Sequence, residues 1–184
     1  MKRILYFLVV LCIFINLTAC EKNGQKAPDI ADSFSTSAEF IYGEKTVTGI
    51  LSRQNIGLWA LEITAPDEIK GIKYTYSDGK ISVSLGELNV QGGVDEQCFL
   101  LTIKAIESID NNEGTSTTKK DGKITATGRI VGEAAEKGFD LVFNEQSLPE
   151  SVVVLSSDLT VKFSGFTVEQ NQQANATISD ENMK

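Results

Sequence analysis

Apolar and polar residues alternate through most of the chain, and this pattern predicts β-strands. In the first such stretch Phe34, Thr36, Ala38, Phe40 and Tyr42 fall on one face, with the period of two that a half-buried strand shows. The same alternation predicts further strands over residues 45–53, 58–65, 72–77, 80–85, 124–130, 139–144, 152–155 and 159–168. Short turns separate many of these stretches, so the pattern indicates an antiparallel sheet.

Turn residues between the strands give the local connections. Asp78-Gly79 stands between two alternating stretches, which is among the strongest short hairpin signals. Asp121-Gly122 opens a second hairpin element in the same way. The segment 66–71 predicts a loop after Pro66, and residues 111–120 (NNEGTSTTKK) predict a polar loop.

One segment departs from the period of two. Between Val94 and Ile109 the apolar residues follow helical spacing, at Cys98, Leu101, Ala105 and Ile109. Asp95 is the expected N-cap, and a strand over 99–105 is the competing interpretation. A turn or a short helical piece is expected over 133–137.

One face of the predicted sheet carries many large apolar side chains, and few helices are available to cover them. The sheet must therefore fold on itself as a sandwich or barrel, or wrap a helix and leave an apolar hollow. The pattern therefore predicts an α+β, mostly antiparallel fold and leaves these arrangements of the sheet open. A hollow of that kind suits an acyl chain. The candidate ligand-binding residues are Phe40, Trp59, Leu61, Ile63, Tyr74, Tyr76, Phe139, Leu141 and Phe143.

The N-terminus has the organisation of an export signal. Lys2 and Arg3 precede the uncharged stretch Ile4–Ile15. At about 1.5 Å per residue this stretch spans about 18 Å, less than a membrane core of about 30 Å, so a signal peptide fits better than a transmembrane helix. It ends in Leu17-Thr18-Ala19-Cys20.

This tetrapeptide resembles the lipobox of bacterial lipoproteins. The resemblance implies cleavage before Cys20, acylation of its thiol (with palmitate-type chains) and a lipid anchor on the extracytoplasmic face of the cell envelope. An ordinary signal peptide with an incidental Cys is the alternative. We therefore divide the chain into a signal peptide (1–19), a lipidated N-terminus and spacer (20–33), one domain (34–168) and a disordered tail (169–184).

The order of elements also resembles the LolA/LolB-like fold of lipid-binding lipoproteins. The resemblance lies in Ile63–Gly71 (ITAPDEIKG), which runs into the 72–85 hairpin, and in Leu148-Pro149 followed by Leu159–Phe166 (LTVKFSGF). It implies a strongly curved open sheet, or incomplete barrel, covered by one or two helices on its concave side, which binds lipid, and this is the fold we predict. It covers about residues 34–168.

Composition excludes several other functions. The 17 basic and 25 acidic residues give a net charge of −8, which argues against a nucleic-acid partner. The absence of His removes Ser–His and Cys–His nucleophiles and imidazole metal sites. Cys98 is expected to be a buried apolar residue. We therefore predict no enzyme, no cofactor and no metal.

Two functional hypotheses remain open. The first is a membrane-anchored lipoprotein that binds a hydrophobic ligand, expected to be a lipid, in a cavity of the sheet. The second is a structural or protein-interaction lipoprotein with a filled core and an unidentified protein partner.

Overall fold

The computed structural model describes residues 26–90, 94–111, 114–130 and 137–168. The predicted signal peptide, Cys20 and the predicted tail from Glu169 onward lie outside these residues. Within them, the described helix is not long and apolar enough to cross a membrane.

In the described part of the chain eleven strands form one antiparallel sheet made of two meanders. The first half contains β1 (Phe34–Tyr42), β2 (Lys45–Asn55), β3 (Leu58–Ala65), β4 (Ile72–Ser77), β5 (Lys80–Leu85) and β6 (Leu88–Val90). The second half contains β7 (Ser116–Lys120), β8 (Lys123–Ile130), β9 (Lys137–Phe143), β10 (Pro149–Val154) and β11 (Leu159–Val168). A short 3₁₀ turn, Asp67–Ile69, lies in the predicted loop between β3 and β4.

The first and last strands pair at the centre of the sheet. β1 and β11 run antiparallel from the pair Phe34 and Val168 to the pair Tyr42 and Leu159. The strand order is therefore β6-β5-β4-β3-β2-β1-β11-β10-β9-β8-β7. Among the described strands β6 and β7 form the two edges and do not pair with each other. The predicted open, mostly antiparallel sheet is confirmed.

Two-residue turns build both predicted hairpins. Asp78 and Gly79 have φ of 51° and 73°, and Asp121 and Gly122 have φ of 51° and 80°. Positive φ at both central residues defines the turn whose twist matches paired strands. Gly adopts this conformation without steric cost, and Asp tolerates it better than most side chains. Local sequence therefore determines these two connections.

The helix α1 spans Val94–Asp110, which confirms the predicted helix and excludes a strand over 99–105. It begins at Val94, so Asp95 lies inside the first turn rather than at the predicted N-cap. Its end is marked by Asn111, whose N–H donates to the carbonyl of Glu107 over 3.0 Å. The helix lies against one face of the sheet and contacts β4 in the first half and β8, β9 and β10 in the second.

The predicted polar loop over 111–120 is wrong for its second part. Residues 116–120 form the edge strand β7, which pairs with β8 from Ser116 opposite Thr127 to Lys120 opposite Lys123. Because β7 is largely exposed, its residues carry no apolar alternation, and pairing with β8 supplies the order that the pattern lacks. The short edge strand β6 was not predicted either. The turn or short helical piece predicted over 133–137 lies mostly outside the described residues, and Lys137 begins β9.

The packed domain begins before Phe34. Ala27 and Ile30, which we assigned to the spacer, are buried and join the apolar core. The described part of that segment, residues 26–33, is therefore packed against the domain. The remainder of the predicted spacer lies outside the described residues.

The core lies between α1 and the sheet face that the alternating residues form. Directly opposed residues in an antiparallel sheet share a face, and the register aligns Phe40 with Val161, Val161 with Val152, and Val152 with Leu141. Gly128 allows one especially close contact, because a Cβ there would lie 2.7 Å from the Phe139 ring. On the helix side, Cys98 is buried as predicted.

Candidate ligand-binding face

The structure brings all nine candidate residues to the face of the sheet that α1 covers. Eight of them are almost completely buried, with exposed fractions from 0% to 3%, and Tyr76 is half-buried. Six lie in the first half of the sheet, on β1, β3 and β4, and three lie on β9 in the second half. We call this surface the covered face. Ligand binding by these residues stays a prediction.

Strand register places a row of large side chains across one end of the covered face. Phe34 is opposite Arg53, Arg53 is opposite Trp59, and Trp59 is opposite Tyr76. The Phe34 and Trp59 rings meet edge to face, with centroids 5.7 Å apart. The row therefore combines three aromatic rings with one guanidinium.

Arg53 is the functional candidate that our sequence reasoning missed. It is 1% exposed and follows Val47, Gly49 and Leu51 on the inward face of β2. Its Nη2 lies 2.7 Å from Oδ2 of Asp110 in an ion pair, and its Cζ lies 5.1 Å from the Trp59 ring centroid. The signal was present in the sequence, because the period of two in β2 places a charge on the apolar face.

A hydrogen bond also joins this row to the last turn of α1. The indole Nε1 of Trp59 donates to Oε1 of Glu107 over 3.0 Å. Glu107 and Asp110 therefore connect the end of the helix to Trp59 and Arg53. The last turn of α1 has no basic residue, so Arg53 supplies positive charge where the helix dipole is negative.

Burial dominates the titration of the two nearby groups whose pKa is shifted. The pKa of Asp110 is raised, because desolvation of the carboxylate outweighs its attraction to Arg53. The pKa of Tyr76 is also raised, first by burial and then by the negative charge of Glu107. The cluster is thus a partly desolvated polar end of an otherwise apolar face.

The second half of the covered face is aliphatic and aromatic. Phe139, Leu141 and Phe143 on β9 are each 0% exposed. They pack with buried residues of the neighbouring strands: Ile124, Ala126, Ile130, Val152 and Val154. This part of the face offers dispersion and hydrophobic contact to whatever lies against it.

An open cleft adjoins the polar end. It has a volume of about 300 Å³ and lies between the turn at Ile56-Gly57, the turn at Asp78-Gly79 and the end of α1. Glu107, Asp110 and Tyr76 line it. Among the described residues no group of three or more Cys, Asp and Glu side chains is arranged to hold a metal ion.

Comparison with known proteins gives only distant similarity. The sequence matches no protein-family model and no curated protein. An uncharacterized conserved protein from Thermus thermophilus has 14% identity and a TM-score of 0.47, over 76% of this chain and 80% of that one. A LolA superfamily protein from Nitrosomonas europaea has 9% identity and a TM-score of 0.47, over 82% of this chain and 91% of that one. The structural class of this protein follows from its own fold, which is an open curved antiparallel sheet with a long helix against one face.

Proposed function

We propose that this protein is an extracytoplasmic lipoprotein, anchored to the cell membrane through Cys20, that binds a lipid or another hydrophobic ligand between its sheet and α1. The observation that carries the proposal is the covered face: a continuous set of large apolar side chains on an open sheet, with one described helix against it. The resemblance of Ile63–Gly71 and of the late strand pair to the LolA/LolB-like pattern agrees with this function. The proposal includes no enzymatic activity and no cofactor.

Ligand entry requires α1 to move away from the sheet. The eight buried candidate residues are covered in this conformation, so an acyl chain reaches them only if the helix shifts. Exposing a large apolar side chain costs about 1.5–3 kcal/mol, whereas burying each CH₂ of an acyl chain returns about 0.8 kcal/mol. A long acyl chain is therefore able to replace the contacts that the helix gives up. Glu107 and Asp110 hold the C-terminal end of α1 against the sheet through Trp59 and Arg53. For this end of the helix to move away, these two contacts must break.

The lipid anchor supplies what electrostatics does not. The chain carries a net charge of −8, and an anionic membrane surface repels such a protein. Two acyl chains are sufficient for stable membrane attachment. Labelling with radioactive palmitate tests the anchor: we expect wild-type protein to be labelled and a Cys20→Ser variant to remain unlabelled. Equal labelling of the two would exclude acylation at Cys20.

The tryptophan of the covered face gives a direct test of ligand binding. Trp59 is the single Trp in the chain, so fluorescence reports on one position. We would use the chain from residue 20 onward with Cys20→Ser, which carries no acyl chain of its own, and add brominated fatty acids, which quench Trp on contact. We expect saturable quenching of Trp59 with one site per chain.

A matched control moves the Trp to the opposite side of the sheet. Trp59→Phe combined with Glu62→Trp places it next to Leu61, in an exposed position. We expect this variant to show only weak, non-saturable quenching. Equal quenching of the two proteins, or none in either, would contradict ligand binding at the covered face.

The closed covered face also supports the second hypothesis. A filled core that binds no ligand would bury the same residues, and the protein would then act through a protein partner. Crosslinking in cells followed by purification separates the two: a partner protein is recovered in this case, and lipid extraction of the purified chain yields nothing.

A further inference from the structure

Arg53 is buried more completely than its known contacts explain. Its side chain has an exposed fraction of 0%, and the ion pair with Asp110 uses only Nη2. In the described structure all three guanidinium nitrogens are buried and none has a hydrogen-bond partner, so the contact of Nη2 with Asp110 is an ion pair without a well-aligned hydrogen bond. A guanidinium carries five N–H donors arranged along two edges, so this residue has several buried donors without an acceptor.

Packing alone does not account for such a residue. An unsatisfied buried donor is unfavourable, and the cost is greater when the group is charged. An apolar side chain of similar volume at a buried ion pair is often as stable or more stable. The Trp59 ring compensates in part through its contact with the guanidinium. It accepts no conventional hydrogen bond from Nε or Nη1.

We propose that Arg53 binds the polar group of the ligand, with N–H groups on one edge of its guanidinium donating to the oxygen atoms of a carboxylate or an ester attached to the alkyl chain. This inference rests on the proposed function and names its ligand class: acyl compounds, in preference to plain hydrocarbons or cationic amphiphiles. Adjacent guanidinium N–H groups match the spacing of acyl oxygens. The positive charge disfavours an amine at the same place.

The surroundings of Arg53 fit a ligand of this shape. The Phe34 and Trp59 side chains flank it on the neighbouring strands, and the next inward position of β2 is the fully buried Leu51. An acyl oxygen at Arg53 therefore leaves the alkyl chain to run along apolar side chains. Asp110 belongs to the helix, so displacement of the end of α1 also removes the existing partner of Nη2 and increases the need for an acceptor.

A comparison of head groups tests the assignment on the unaltered site. We would use the Cys20→Ser chain and measure displacement of the brominated probe by four compounds of equal chain length: dodecanoate, methyl dodecanoate, dodecylamine and dodecane. We expect at least one of the two acyl compounds to bind about tenfold or more tightly than the amine and the alkane, a difference of about 1.4 kcal/mol. A preference for dodecanoate indicates a free fatty acid as the source, and a preference for the ester indicates an acylated lipid.

A double substitution tests whether Arg53 causes the preference. Arg53→Met with Asp110→Asn removes both charges, so that neither is left buried without a partner. We expect this variant to bind all four compounds with similar affinity. Arg129→Met, on the opposite face of β8, is the control and should keep the preference.

The outcomes separate this inference from the proposed function. Similar binding of all four compounds to the starting chain would overturn the role of Arg53 and leave ligand binding intact. A preference that persists in the double variant would assign it to another group, or to water in the interior. Binding of none of the four would overturn both proposals. Because the head-group comparison uses the unaltered site, it decides the question even if the double variant does not fold.

Discussion

The two halves of the sheet meet the same helix through different chemistry. The first half, β1–β6, presents Arg53 and Trp59 and is joined to the last turn of α1 by an ion pair and a hydrogen bond. The second half, β7–β11, presents phenyl and aliphatic side chains such as Phe139 and Leu141. Hydrophobic contact is non-directional, whereas the polar contacts fix particular atoms. The helix packs mainly against β8, β9 and β10 of the second half, and the polar contacts of the first half determine where the end of the helix rests.

The largest effect is expected in the second half. Phe139→Ala should lower the free energy of unfolding by about 3–5 kcal/mol, because it removes a fully buried ring and leaves a cavity. Urea unfolding followed by circular dichroism measures the change. Val142→Ala, which lies on the opposite face of the same strand, is the control, with an expected loss below about 1 kcal/mol. Similar losses for the two variants would mean that the second half does not carry the packing.

An intermediate effect is expected at Asp110. Asp110→Ala should cost about 2 kcal/mol, because it leaves the buried Arg53 with no acceptor. Asp110→Asn keeps an oxygen acceptor and removes a carboxylate whose burial raises its pKa, so it should cost less than Asp110→Ala. Equal losses for both variants, measured by urea unfolding at neutral pH, would show that the charge and not the acceptor matters.

The stability of wild type and that of Asp110→Asn should depend differently on pH. The folded-state pKa of Asp110 is raised, so its contribution to stability is complete below the ordinary Asp pKa and is lost as pH rises through the raised value. Asp110→Asn should therefore gain stability relative to wild type over that interval. Urea unfolding at a series of pH values measures the difference. If Asp110→Asn instead loses stability relative to wild type as pH rises, the attraction of Arg53 outweighs desolvation of the carboxylate.

The smallest effect is expected at Glu107. Glu107→Gln keeps an acceptor for the Trp59 indole, so stability should change by less than about 1 kcal/mol. It removes the charge that raises the pKa of Tyr76, and that pKa should fall towards its ordinary value. NMR titration of the Tyr76 ring measures the shift, with Glu62→Gln on the exposed face as a control that leaves it unchanged. An unchanged Tyr76 pKa in Glu107→Gln would place the cause entirely in burial.

Local sequence was sufficient for much of the fold. The turns at Asp78-Gly79 and Asp121-Gly122 and the inward faces of β1, β3 and β9 depend on neighbouring residues, and all were predicted. The helix was also predicted, because its apolar spacing is unlike that of the strands. By contrast β7 is polar on both faces, and only its partner β8 makes it a strand.

The site was predictable only in its apolar part. The nine candidate residues were found because each lies at an apolar position of a strand with alternating apolar and polar residues. Arg53 was missed, although it lies on the inward face of β2, and it is the last residue of the strand predicted over 45–53. Its partner Asp110 lies far away in the chain, and pairing across that separation depends on how the helix docks, which residue patterns do not specify.

Pairing of β1 with β11 has a consequence for how the chain assembles and how it can be cut. The Thr36 hydroxyl donates to the Ser164 carbonyl across a separation of 128 residues, so the central seam closes only after both meanders have been synthesised. Contacts of such long range make folding slow, because the entropy cost of closing the long loop comes before the stabilising contacts form. A protease that removed the last strand, β11, would remove a central strand of the sheet and not an edge strand. It would divide the molecule down its middle and separate the two meanders.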